Sequence, residues 1–449
     1  MYVIYSLLLV LGFLILLPRF FIDAFRHGKY VAGFGERLGW LTRLPHNGRP
    51  VIWIHCVSVG ETQAARPLVQ AICRHYPDYQ IAISTITLTG QTFAREVFKQ
   101  QAVKVFYFPF DWRWIVRRTI KAINPSAVLV METELWPGFL RECSARRIPV
   151  TLVNGRLSQQ SFRRYRIIKA FMRKVLHSLT LAIMQTDADG ERICALGMDP
   201  EQVLVCGNMK FDADAMPATG ELVVELRERF GLHGAPVILA ASTHGPEEAV
   251  ILNSFRQILS TSRLQPRLMI APRHPERFAE VADLINISGF SWVKRSAPAS
   301  VGDTTAQVIL LDSIGELSAA YPLATVVFVG GSFSKTGGHN VIEPAAAGVP
   351  IIVGPHTFNF QAIIAAFVKA GAIIQLQPLS ESATIVQLTD AILNLLNDDA
   401  RREELGAAAR LLVNENRGAT ERTLKALAPI FAFARTAVGP VREKSGAEP

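Results

Sequence analysis

The 449-residue chain has no CxxC pair, and its five cysteines, Cys56, Cys73, Cys143, Cys194 and Cys206, are odd in number and scattered. That excludes a disulfide scaffold and a cysteine zinc site, and points to buried thiols in a reducing compartment. Charged residues make up only 19% of the chain against 49% hydrophobic, which excludes disorder for most of its length. Gly and Pro fall without period, so collagen-like and coiled-coil compositions are out. With one long apolar run and a mean hydropathy of +0.23, the chain is not a polytopic membrane protein. No repeat of fixed period is present. Neither GxxxxGK[ST] nor a convincing GxGxxG after the first strand occurs, which disfavours P-loop NTP hydrolysis and NAD binding.

What is present begins with the apolar run. Met1 to Leu17 carries no charge, and about seventeen residues is the lower limit for spanning a ~30 Å hydrocarbon layer. No basic n-region or A-x-A-like site marks it for cleavage, so residues 1–25 are expected to be an uncleaved anchor. Arg19, Arg26, Lys29 and Arg37 follow it, which by the positive-inside rule puts the rest of the protein in the cytoplasm. Between Arg141 and Lys174, ten Arg and Lys face one acid, Glu142, a local +9 that equals the formal net charge of the whole chain. Phe162, Tyr165, Ile167, Ile168 and Phe171 interleave with these charges. A basic, aromatic-studded helix behind an anchor suggests anionic lipid head groups or a phosphorylated lipid, and no nucleic-acid motif accompanies it.

Short β-rich runs alternate with helical patterns along most of the chain, a rhythm that predicts parallel βαβ units and doubly wound sheets. The first series is Val51–His55, Gln80–Thr85, Val103–Phe106, Ala127–Glu132, Pro149–Val153, Leu181–Met184 and Val203–Cys206. The second is Val237–Ala241, Arg267–Ala271, Gln307–Leu311, Thr325–Gly330, Pro350–Val353 and Ala372–Gln375. The break falls in Phe211–Leu222. The reading is therefore an α/β protein with two Rossmann-like domains, at 35–212 and 220–425, and a flexible tail at 435–449. Ligands are expected beyond the carboxyl ends of the strands.

Those ends carry the chemistry. In HCVSVGE, Glu61 sits in the first turn of a helix, where a carboxylate could act as a general base or simply complement the helix dipole. METELWP places Glu132 and Glu134 at a strand end that should be buried on both faces, costly without partners; one of the two could cap the helix expected from Leu135. GNMKFD offers Lys210, a fair phosphate partner at a strand end. APRHPERF puts Pro272, Arg273 and His274 after a strand, and DSIGEL puts Ile314, Gly315 and Glu316 after another. The strongest stretch is GGSFSKTGGHNVIEPAAAGVP, a Gly-rich loop running into a helix expected near Asn340, with Val341, Ile342 and Glu343 following. Backbone N–H groups at such a start cradle phosphate, and Glu343 could bind ribose hydroxyls.

HCVSVGE, METELWP, NGRLS, GNMKFD, APRHPERF and GGHNVIEPAAAGVP together resemble the GT-B glycosyltransferases. More narrowly they resemble the 3-deoxy-D-manno-octulosonic acid (Kdo) transferases of Gram-negative lipopolysaccharide synthesis, family 30. One small departure is Val341–Ile342, where many members carry Pro–Leu. The resemblance implies transfer of Kdo from CMP-Kdo to a lipid A precursor, lipid IVA, with inversion, at the cytoplasmic face of the inner membrane and in contact with its lipids. Residue by residue it implies Glu61 as general base and Glu132 and Lys210 as transition-state stabilisers. Pro272, Arg273, Ile314, Gly315, Glu316, Asn340, Val341, Ile342 and Glu343 would hold CMP. No metal and no cofactor is expected. The rivals from other classes are a GT-B-like sugar-nucleotide epimerase and a non-catalytic, membrane-anchored binding protein.

Overall fold

The computed structural model describes residues 2, 5–7, 9–13, 15, 33–45, 47–213 and 220–436. The chain forms two compact units, Met1–Ala213 together with Arg417–Pro449, and Asp214–Asn416. Most of the expected anchor at 1–25, and all of the expected tail beyond Thr436, lie outside the described residues.

Seven parallel strands make the first sheet: β1 (Val51–His55), β2 (Gln80–Thr85), β3 (Ala102–Tyr107), β4 (Ala127–Met131), β5 (Val150–Gly155), β6 (Leu181–Met184) and β7 (Val203–Val205). Their order is β3-β2-β1-β4-β5-β6-β7. Runs such as VIWIH and AVLVM are apolar throughout because helices cover both faces of a parallel sheet, and all residues of β1 and β4 are buried. Alternation along β1 sends Ile52 and Ile54 into one core and Trp53 into the other. The order reverses at β1, which lies between β2 and β4. Loops leaving the carboxyl ends of β1 and β4 therefore flank a topological switch point.

The second sheet is also parallel: β8 (Val237–Thr243), β9 (Arg267–Pro272), β10 (Trp292–Lys294), β11 (Val308–Leu310), β12 (Val326–Val329), β13 (Ile351–Val353) and β14 (Ile374–Gln375). Its order, β10-β11-β9-β8-β12-β13-β14, places the switch between β8 and β12. β10 went unread in the sequence because three half-buried residues show no usable period.

Two expectations are corrected. The sequence reading carries the second domain to residue 425, but the chain rejoins the first unit at Arg417. There the helix Ala419–Thr436 buries Leu424, Leu427, Ile430 and Phe431 in the core on one face of the first sheet. Asp212 fixes its start by accepting from Gly418 N–H at 2.8 Å and Thr420 N–H at 2.7 Å. Second, the basic stretch is not one helix. It contains β5 and then two short helices, Gln159–Ile167 and Lys169–Leu176, broken at Ile168. No helix among the described residues is long and apolar enough to cross a membrane. The described residues between Tyr2 and Ile15 are helical and pack on the first unit: Tyr5 donates to Asp111 at 2.8 Å, and Phe13 meets Phe110 and Trp112 edge-on.

Candidate active site

Glu61 enters the switch point on the third residue of the helix Val59–His75, whose N-cap is Ser58. Its carboxylate turns back, accepting from Val57 N–H at 2.7 Å and from the Ser58 hydroxyl at 3.3 Å. That contact is close to a capping box, so the plain helix-start role is real. It does not describe the whole environment. Glu61 is buried, and burial followed by the neighbouring Glu132 carboxylate pushes its pKa up to about 8, against the pull of the Val57 and Ser58 hydrogen bonds. A carboxyl group titrating near neutrality beside a second carboxylate is poised to take a proton.

Glu132 is not the last residue of a strand. β4 ends at Met131, and Glu132 takes the left-handed backbone (φ 55°), rare for a residue with a side chain. Strand alternation therefore does not set how Glu132 and Glu134 face each other. The helix also starts later, at Pro137, and neither glutamate caps it. Asp111 does, accepting from Gly138 and Phe139 N–H at 2.7 and 2.6 Å. Glu132 pairs instead with Lys210, Nζ to Oε1 at 2.9 Å. Burial and the Glu132 charge raise the Glu134 carboxyl as well, so three carboxylates and one lysine crowd this corner.

Lys210 is placed by residues the sequence reading passed over. Asn154, buried at the end of β5 with φ 55°, accepts from Met209 N–H at 3.0 Å. Gln185 clamps the Asn154 carbonyl at 2.9 Å. The NGRLS string carried the signal, since a buried Asn in a strand is expensive unless it ties something down.

In the second unit every strand is parallel, so the loops after β8, β9, β11 and β12 emerge on one edge of the sheet. They bring Arg273, Ile314–Glu316 and the 330–343 loop to that edge. Arg273 is exposed and makes no ion pair among the described residues. Gly315, Gly337 and Gly338 have φ of 87°, 96° and 76°, conformations that favour glycine. Glu316 is committed to Arg295 in a two-point pair at 2.8 Å, which leaves the backbone of 314–316 as its available surface. The helix expected near Asn340 runs only from Ile342 to Ala347. Asn340 occupies its start, accepting from Ile342 N–H at 2.9 Å while its amide donates to Glu343 at 3.1 Å.

Two elements here were missed. Glu247, fully buried, accepts four backbone N–H groups at 2.7 to 2.9 Å, from His244, Gly331, Ser332 and Phe333, and so ties the β8 loop to the β12 loop. His244 and His339 meet through their Nε2 atoms at 2.7 Å. The string STHGPEE after an apolar strand was the available signal. Among the described residues no three of His, Cys, Asp and Glu gather as a metal site.

Residues 32–213 match the family described as 3-deoxy-D-manno-octulosonic-acid transferase (kdotransferase). A 3-deoxy-D-manno-octulosonic acid transferase from Haemophilus influenzae is 36% identical over 403 residues, 89% of this chain and 92% of that protein. Among solved structures, a glycosyltransferase from Rickettsia africae aligns over 86% of this chain and 98% of its own at 12% identity, TM-score 0.53. A UDP-N-acetylglucosamine 2-epimerase aligns over 91% and 100% at 13% identity, TM-score 0.55. Those two likenesses are of fold alone, and a fold that serves both a transferase and an epimerase does not choose between them. Sequence identity over nearly the whole length does choose: the chain belongs to the 3-deoxy-D-manno-octulosonic acid transferase family.

Proposed function

We propose that the protein moves Kdo from CMP-Kdo to a lipid A precursor, lipid IVA, in a single inverting displacement, with the first unit holding the acceptor and the second the donor. The observation that carries the reading is Glu61, a buried carboxyl raised to about 8 at the switch point of the first sheet. Glu61 takes the proton of the acceptor hydroxyl as its oxygen bonds to the anomeric carbon. The carbon–oxygen bond to the phosphate breaks, and its electron pair leaves on CMP. Lys210, held on Glu132 by one N–H, keeps two donors for charge that develops in the transition state.

On the second unit, Pro272–Arg273, the 314–316 backbone and Asn340–Glu343 form the CMP seat in this reading, with Arg273 supplying its open positive charge. A phosphate monoester leaves as a stable anion, so the donor needs no divalent ion to depart. An epimerase would need no apolar N-terminal helix. A non-catalytic binding protein would not need a raised carboxyl beside a Glu–Lys pair.

The same reading places the protein at the cytoplasmic face of the inner membrane. The N-terminal helix keeps one face on the first unit and exposes Leu7, Leu11 and Ile15 on another. Ile167, 85% exposed, lies among Arg163, Arg164, Arg166 and Lys169. Apolar side chains ringed by cations suit an anionic bilayer surface and a phosphorylated lipid. Incubation with CMP-Kdo and lipid IVA, followed by mass spectrometry, should yield an acceptor heavier by Kdo and free CMP. Conversion of a sugar nucleotide to its epimer, or no product with both substrates present, would sink the reading.

A further inference from the structure

At the switch point of the second sheet, between β8 and β12, the structure builds a histidine pair with unusual care. Ser242, just before His244, holds a left-handed backbone (φ 55°), and the β8–β9 register breaks between Ala241 and Thr243. Strain of this kind persists where the surroundings impose it. Across the gap, a Cβ on Gly331 would lie 2.8 Å from Cδ2 and 2.9 Å from Nε2 of His339, so only glycine admits that ring. The Gly338 N–H closes the loop on the Gly331 carbonyl at 2.7 Å. Glu247 then locks the loops bearing the two histidines together, as described above.

The geometry limits the protons. With Nε2 facing Nε2 at 2.7 Å and ring planes 11° apart, one hydrogen lies between the two nitrogens, and both rings cannot be imidazolium at once. Neither Nδ1 makes a hydrogen bond among the described residues. The ring of His274 stands edge-on to His244 at 5.0 Å. The other charges that act on the pair are Arg273, Arg277 and Glu248. Of these Glu248 is spent on Arg277, at 2.6 Å, whereas Arg273 has no counter-ion.

We propose that His244 and His339 form a proton-accepting seat for the donor's phosphate, neutral when empty and taking up one proton at His244 when phosphate binds beside Arg273. This rests on the reading of the second unit as the CMP-Kdo site. Burial, then His244, Arg273 and His274, hold His339 down at about 3, so it serves as the acceptor partner. Burial and His274 lower His244 too, but Glu248 works the other way on it. An anion reverses the cationic part of that balance. In the reaction the phosphate goes from one negative charge to two as its bond to the sugar breaks, and a proton held at His244 offsets the second charge.

Calorimetric titration of CMP into the full-length protein at about pH 7.5, in two buffers of different ionisation enthalpy, reads the proton directly. There the CMP phosphate is already a dianion, since its second pKa is about 6, so uptake must come from the protein. The expected result is uptake of part of one proton per CMP, with affinity falling by at most about tenfold per pH unit, the limit for one linked proton. Cytidine, lacking phosphate, should bind without uptake. His244→Asn and His339→Asn keep a polar side chain and should abolish the uptake. The wild-type measurement decides the question even if a variant fails to fold. CMP binding without proton exchange, or full uptake in both variants, overturns the pair's role alone. No CMP binding overturns the donor reading and the pair with it.

Discussion

Glu61 carries two opposed demands. As a helix-start carboxylate it should be stabilised ionised, yet burial and Glu132 hold its pKa near 8. Folding therefore binds a proton between the unfolded value of 4.5 and about 8, and the carboxyl costs stability increasingly as pH rises through that window, by roughly 1.4 kcal/mol per unit at most. Glu61→Gln should melt nearer to the wild type at pH 5 and above it at pH 8, which thermal denaturation at the two pH values will show. The same variant cannot accept a proton and should lose about 10²–10⁴-fold in turnover. In the wild type, kcat/KM should climb with pH through about 8, as the base ionises. Glu132→Gln removes the neighbouring charge that raises Glu61, so the surviving activity should have its limb displaced to lower pH. An unmoved limb would mean that the titrating group is not Glu61.

Among the elements, the first-unit sheet was legible because parallel strands buried on both faces are uninterrupted apolar runs. Glu132 was legible as costly, but its left-handed backbone and pairing with Lys210 were not, because strand alternation says nothing once the strand has ended. Glu247 stands in the sequence as one more acid at a helix start, and only the fold reveals the four N–H groups it gathers from two loops. Residues 417–425 were given to the second domain because nothing local in the sequence says which core they join. The partners that settle the place of the last helix, Asp212 and Tyr79, lie far off in sequence, the Tyr79 hydroxyl donating to the Phe431 carbonyl at 2.7 Å. Phe431→Ala should destabilise the first unit by about 3–5 kcal/mol, and Asp212→Ala by about 1–2 kcal/mol through loss of the cap. Urea unfolding checks both, and a Phe431→Ala protein as stable as wild type would refute the docking of this helix.

For the molecule as a whole, the proposed reaction draws the positive potential at the nucleotide from Arg273, which makes no ion pair among the described residues. Extensively dialysed enzyme should keep its activity in excess EDTA, and loss restored by Mg²⁺ or Mn²⁺ would recast Glu132 as a ligand. The central proposal is a single displacement, with Glu61 activating the acceptor hydroxyl as CMP leaves. A single displacement of that kind inverts the anomeric carbon, whereas a covalent intermediate on a carboxylate such as Glu61 or Glu132 would invert it twice. Nuclear magnetic resonance of the Kdo–lipid product, made from CMP-Kdo of known configuration, distinguishes these outcomes. The account predicts a linkage opposite to that of the donor, and a linkage that retains the donor's configuration would contradict it.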